Sequence, residues 1–140
     1  MSYPPMLNGK TPAEYRTFFE AMYCRNPIQT FDRIEVRFRK RDFNHCFFES
    51  VKSKDDTFSL PRAERLLWIK AALQDPDSEK YIGWDRHKKR YDKNRRVTLV
   101  QKDYVVVIVL LGNQKAEFIT AYVADTPTTL AKIRSGPKWA

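Results

Sequence analysis

YVVVIVLLGNQKAEFITAY, residues Tyr104 to Tyr122, decides how this chain is read. The eight consecutive apolar residues from Tyr104 to Leu111 are mostly β-branched and too few to cross a bilayer, which makes them a buried strand. Gly112-Asn113-Gln114-Lys115 supplies turn chemistry, and Ala116 to Val123 is a second extended segment. The expectation is a central, antiparallel β-hairpin. A two-residue period puts Phe118, Thr120 and Tyr122 on one face, with Ile119, Ala121 and Val123 on the other. A hydroxyl and a phenol side by side on a rigid strand serve either packing or the floor of a site.

Immediately upstream lies the most basic segment of the chain. Residues 86–96, RHKKRYDKNRR, hold seven Lys or Arg in eleven positions against one Asp. Asn94 marks a turn before a strand that begins at Arg95 or Arg96 and runs through Val97, Leu99 and Val100. The cations interleave with His87 and Tyr91, a pattern suited to phosphate contacts beside a base-stacking platform. Arg90, Arg95, Arg96, Lys88, Lys89 and Lys93 are the candidate phosphate contacts here.

Further upstream, Ser59-Leu60-Pro61 opens a helix with a wide apolar face, and Asp75-Pro76-Asp77 stops it. Arg62 and Arg65 lie in its first turns and reach solvent or a ligand. Phe43-Asn44-His45-Cys46-Phe47-Phe48 is apolar around a single imidazole, which is either a satisfied core residue or a catalyst. From Arg33 the period is two: Ile34, Val36 and Phe38 alternate with Arg33, Glu35, Arg37, Arg39 and Arg41. That is a strand with one buried and one strongly basic face, and Arg37 and Arg39 become candidate phosphate contacts. Thr11-Pro12-Ala13-Glu14 is a capping box opening a helix over about residues 12–23. Residues 1–10 read as an irregular arm, and residues 127–140 as a short polar tail without a role.

The chain of 140 residues is long enough for one domain with a real core. Apolar residues make up 42% and aromatics 14%, which excludes a disordered chain. The balance of 26 Lys and Arg against 17 Asp and Glu gives a net charge of +9 and a pI near 9.7. Such a field favours a polyanionic partner, nucleic acid first and an anionic membrane surface second. Cys24 and Cys46 form no disulfide framework; they allow one bridge, but the expectation is two buried free thiols in a reducing cytosol. With His45 and His87 they make no zinc-ligand spacing, so neither metal nor cofactor is expected. The first residues, MSYPPMLNGK, show neither a charged nor an apolar leader region, and no signal peptide is expected. The order of elements gives an α+β domain: a small antiparallel sheet of about four strands with helices packed on one face.

Paired carboxylates, a P-loop and a GxSxG elbow are all missing from the sequence, and Asp75, Asp77 and Asp85 are too scattered to form a metal-nuclease cluster. Cations, two histidines and strand hydroxyls remain. These suffice for metal-independent RNA cleavage, in which the RNA's own 2′-hydroxyl is the nucleophile. The protein then needs a proton acceptor, for which imidazole is suited, and a fork of donors for the phosphorane, for which guanidinium is suited.

Four segments also resemble those of the barnase–EndoU–colicin–RelE-like (BECR) nuclease superfamily, in particular its phage- and mobile-element-associated branch. They are the histidine segment Phe43-Asn44-His45-Cys46-Phe47, the helix Arg62-Ala63-Glu64-Arg65-Leu66-Leu67-Trp68-Ile69, the strand Tyr104-Val105-Val106-Val107-Ile108 after a basic segment, and the closing Phe118-Ile119-Thr120-Ala121-Tyr122. The match spans residues 43–124, and the TAY ending is its most specific part. The resemblance implies a toxin-like RNase cutting RNA or particular tRNAs without metal, with a helix packed on four antiparallel strands. By it, His45 is the acid–base histidine, Thr120 and Tyr122 are the strand hydroxyls, and one of Arg90, Arg95 or Arg96 neutralises the phosphate. The surplus of cations leaves that arginine open and makes His87 a competitor for His45. A toxin also implies an immunity or antitoxin partner and action in a cytoplasm, the producer's or a target cell's. Two other readings stand beside this one: a non-catalytic RNA- or DNA-binding module, and an inhibitor or accessory protein that binds another protein.

Overall fold

In a computed structural model describing residues 3–124 and 126–139, six strands form one sheet in the spatial order β1-β2-β8-β7-β6-β5. Met1 and Ser2 of the expected arm and Ala140 of the expected tail lie outside the described residues. Along the chain the elements are α1 (Pro12–Phe19), β1 (Ile28–Gln29), β2 (Glu35–Arg37), α2 (Asp42–Phe47), β3 (Phe48–Glu49), β4 (Thr57–Phe58) and α3 (Leu60–Glu64). They continue with α4 (Leu66–Gln74), β5 (Glu79–Asp85), β6 (Arg90–Val100), β7 (Tyr104–Gly112), β8 (Lys115–Val123) and α5 (Pro127–Arg134). β3 and β4 form a separate two-stranded ribbon. The fold is α+β, but its sheet is larger than the expected four strands. It is also not wholly antiparallel, because β2 pairs in parallel with β8.

The central hairpin is β7–β8, turned at Asn113 and Gln114, both at positive φ (52° and 58°) as a two-residue primed turn requires. Its inner face meets the helices. α1 begins with the expected capping box: Thr11 accepts from Glu14 N, and the Glu14 carboxylate accepts from Thr11 N. A π-helical turn, Glu20–Cys24, then carries Tyr23 inward. Tyr15, Phe19, Tyr23, Phe43, Phe47 and Phe118 are among the residues that form an aromatic core between these helices and the sheet. Phe38 stacks on Phe118 with ring centroids 4.6 Å apart. That pair is worth about 1 kcal/mol beyond its burial and reinforces the three-residue ladder that joins β2 to β8.

Two expectations fail on the basic strands. The strand expected to begin at Arg95 or Arg96 begins at Arg90, so residues 90–95 are the first half of β6 and make a second long hairpin with β5. The basic face of β2 is also not bare. Glu117 of the neighbouring β8 takes Arg39 at 2.5 Å, while the strand's own Glu35 takes Lys115 of β8 at 2.8 Å.

The helices are likewise not confined to one face. α5, built from the expected polar tail, lies on the opposite side. There Leu130 and Ile133 pack against Leu99, Val105, Val107 and Ala124. The last residues then close the β5 edge: Ile82 N donates to Pro137 O at 2.8 Å and Trp139 N to Lys80 O at 3.0 Å. Among the described residues no helix is long and apolar enough to cross a membrane.

Candidate functional site

A cleft of about 740 Å³ opens on the α5 side of the sheet. Its floor is Val97 of β6, Val107 of β7, and Ile119, Thr120 and Tyr122 of β8. This grouping differs from strict alternation, and a β-bulge is the reason. Val107 pairs with Thr120 and Ile108 with Phe118, which leaves Ile119 as an extra residue. Phe118 therefore points into the aromatic core with Ala121 and Val123, while Ile119, Thr120 and Tyr122 share the opposite face.

His45 reaches this cleft although it belongs to a helix on the other side. β2 pairs with β8 only as far as Glu117, so the rest of that edge of β8 is left to α2. The Cys46 thiol donates to Ala121 O at 3.3 Å, which fixes α2 on the strand next to Tyr122. Phe43, Cys46 and Phe47 point inward; His45 falls off that stripe, is exposed, and lines the cleft. Arg16 holds the outer side of α2 by a hydrogen bond to Asn44 Oδ1 and by stacking over Phe43 at 4.7 Å.

Arg95 is brought in by a second irregularity. Ile82 pairs with Arg96 but Gly83 with Asp92, so Lys93, Asn94 and Arg95 stand out of the β5–β6 ladder. The stem of Arg95 then lies across Gly83: a Cβ there would be 2.5 Å from both Cγ and Cδ of Arg95. The Arg95 Nε is buried without a hydrogen-bond partner. Trp84, Tyr91 and Arg86 on the β5–β6 hairpin form one wall, and Thr129 and Lys132 of α5 another.

The electrostatics are one-sided. Arg86, Arg95 and Lys132 line the cleft, and among the described residues no carboxylate does. Burial pushes the Tyr122 phenol above its ordinary value, against the opposing pull of the Arg62 and Arg86 charges, so it stays protonated at neutral pH. Among the described residues the side chains of His45, Arg86, Arg95, Thr120 and Tyr122 make no hydrogen bond to protein. Other guanidiniums are engaged: Arg39 with Glu117, Arg134 with Glu79, Arg96 with Asp32.

Thus His45, Arg95, Thr120, Tyr122 and Tyr91 of the expected site converge, and the remainder do not. Arg96 is the clearest correction. Strand alternation turns it to the helix side, where it is 1% exposed, bonded to Asp32 at 2.7 Å and flanked by the rings of Phe31 and Trp139. His87, Lys88 and Lys89 form the exposed hairpin turn, where the Asp85 carboxylate accepts from the His87 and Lys88 amides. Arg90 and Lys93 are exposed beyond the cleft, Arg37 and Arg39 lie by β2, and Arg62 and Arg65 spend donors on Cys46 O and Pro61 O. Trp84, Arg86, Thr129 and Lys132 were not legible as site residues. Trp84 beside Arg86, next to a basic run, was the available signal.

Among the described residues no group of three or more His, Cys, Asp or Glu is placed to hold a metal ion. No family model, no curated protein and no solved structure matches this chain.

Proposed function

We propose that the protein is a metal-independent endoribonuclease of the toxin type, acting in the cleft between β8, the β5–β6 hairpin and α5. One observation carries the reading: an imidazole, a hydroxyl, a phenol and two guanidiniums, none bonded to protein among the described residues, line one cleft whose described lining includes no carboxylate. An RNA phosphate is held by Arg95 and Arg86, which keep their charge at any physiological pH. His45 accepts the proton of the 2′-hydroxyl as its oxygen bonds to phosphorus. Thr120 donates to a non-bridging oxygen while charge develops on the phosphorane. The bond to the 5′-oxygen breaks, and the Tyr122 phenol, kept protonated by burial, delivers the proton that this oxygen takes. The products are a 2′,3′-cyclic phosphate and a 5′-hydroxyl. These roles accord with those implied by the BECR resemblance, for which tRNA is the first substrate to try.

The test is cleavage of end-labelled RNA and tRNA in EDTA by the wild type and by His45→Ala. The expected result is wild-type cleavage leaving cyclic phosphate, reduced at least ~100-fold in the variant, the lower range of one acid–base group. Cleavage that needs added Mg²⁺, or none by the wild type, rejects the reading. The exposed cations outside the cleft, Lys88, Lys89, Arg90 and Lys93, favour the second reading, a binding module without catalysis. It is the reading left if RNA is bound and not cut.

A further inference from the structure

We infer that Trp84 and Tyr91 form a nucleobase subsite that takes an unstacked base, which makes the substrate class of the cleft single-stranded RNA with little base selectivity. The inference rests on the cleft being a nucleic-acid site and adds which form of nucleic acid fits it. Trp84 and Tyr91 are cross-strand partners on β5 and β6, and both line the cleft. Their rings stand 5.2 Å apart at 85°, a perpendicular pair. Mutual packing does not account for them, because Trp84 remains 50% and Tyr91 41% exposed while the core aromatics of this chain are shut away. A corner of two perpendicular rings receives a planar ring stacked on one and edge-on to the other.

The corner is also held in place. The Asp85 carboxylate, between Trp84 and Arg86, ties down the hairpin turn through the amides of His87 (2.9 Å) and Lys88 (3.2 Å). Tyr91 is backed by Gly136, where a Cβ would come within 3.3 Å of its Cε1. Arg86, next but one to Trp84, and Arg95, on the floor beside Gly83, supply the phosphate contacts that a stacked nucleotide needs on its flank.

Two physical consequences give the substrate class. A base inside a duplex is already stacked, and extruding it costs a few kcal/mol, which a shallow aromatic corner does not recover. The described residues lining the cleft include no Asp, Glu, Asn or Gln side chain, the groups that read adenine and cytosine edges. The guanidiniums of Arg86 and Arg95, which read guanine elsewhere, are taken by phosphate in the proposed chemistry, so edge reading is left to Lys132 and a few hydroxyls. Stacking tolerates every base, so selection falls on strandedness rather than on sequence.

The test uses an uncleavable 2′-O-methyl strand of about eight nucleotides, fluorescently labelled and titrated with the full chain in EDTA. Three probes are compared: the single strand, the same strand in duplex, and an abasic backbone of equal length. The wild type should bind the single strand about tenfold more tightly than either of the others, the worth of one stacked base. Trp84→Ala should lose that advantage while binding duplex and abasic strand as before, and Trp84→Phe should retain most of it. Binding should quench tryptophan emission in the wild type and not in Trp84→Phe, a readout that does not depend on the stability of the alanine variant. Equal binding of the abasic and natural strands, or an unchanged single-strand affinity in Trp84→Ala, overturns the subsite. If the wild type still cleaves RNA in that case, the nuclease reading survives without it. If single strands bind through Trp84 and the wild type cuts nothing, the subsite stands and the nuclease reading falls.

Discussion

Replacing Gly83 with alanine should displace Arg95 without altering any group in the proposed chemistry. The new Cβ would lie 2.5 Å from Cγ and Cδ of Arg95 and 3.1 Å from Val97 Cγ2. The first two of these contacts are far inside van der Waals distance, and they involve the stem of the arginine rather than its mobile end. Either Arg95 leaves its rotamer or β5 and β6 move apart. Overpacking of this kind costs about 1–3 kcal/mol. For a chain of 140 residues that is a fall in Tm of roughly 3–10 °C. If Arg95 holds the phosphate, losing its placement should reduce RNA cleavage about 10- to 100-fold. That is less than the roughly 10²–10³ that removal of a transition-state donor costs, because the displaced charge stays nearby.

The decisive measurement is a double-mutant cycle. In an Arg95→Ala background the two closest carbons are gone and the 3.1 Å contact with Val97 remains, so Gly83→Ala should cost about 1 kcal/mol or less, and the double variant should cleave no worse than Arg95→Ala alone. Melting curves give the steric half and cleavage in EDTA gives the functional half. An equal loss of stability in both backgrounds refutes the steric argument. Full cleavage by Arg95→Ala refutes the assignment of Arg95 to the phosphate.

Asp32→Asn should destabilise the protein by about 2 kcal/mol, since it leaves Arg96, 1% exposed, without its counter-charge; the figure is below that for a wholly buried pair because Asp32 keeps 34% of its side chain in solvent. Burial raises the Asp32 carboxyl, but its bonds to Arg96 and Thr30 outweigh this and leave it below the usual range. The depressed value means that its contribution is present above the unfolded carboxylate pKa of ~3.9 and is lost as pH falls below it. The gap in Tm between wild type and variant should therefore narrow below about pH 4, and a gap that persists there contradicts the assignment. Tyr104→Phe should be neutral or stabilising by up to about 1 kcal/mol, because the Tyr104 hydroxyl is fully buried with no partner among the described residues. A Tm loss of more than a few degrees would mean that the hydroxyl is bonded.

What the sequence made legible, and what it hid, follows from which side chains carry a periodic signal. The β7–β8 hairpin, the capping box at Thr11 and the helix stop at Asp75 were readable because each is local: an apolar run, a two-residue turn, a cap. The first half of β6 was not readable, because one of its faces meets an open cleft and the other solvent, so no apolar alternation marks it. α5 was missed because Leu130 and Ile133 are its only packing residues and neither is fully buried. His45 looked ambiguous among aromatics, yet the helical period over residues 42–47 separates it from Phe43, Cys46 and Phe47. Reading the segment as a helix would have exposed it. The Ile119 bulge could not be foreseen, since alternation assumes that each residue opposes one partner.

That bulge explains how one hairpin serves two purposes. Without the extra residue, Thr120 would follow Phe118 onto the helix face and lie among the core aromatics, where a hydroxyl without a partner is costly. With it, Phe118, Ala121 and Val123 stay in the core while Thr120 and Tyr122 turn to the face that holds Arg95. The face they turn to is also the thinly covered one. The inner side of the sheet is sealed by α1–α4 and the aromatic core, whereas the outer side has, among the described residues, α5 as its one helix, eight residues long. Polar groups placed there remain open to a ligand. Two of the departures from regular pairing, at Ile119 and at Lys93–Arg95, turn polar side chains towards that opening. A purely structural hairpin has no need of either, which is the physical ground for reading the TAY strand as the floor of a site.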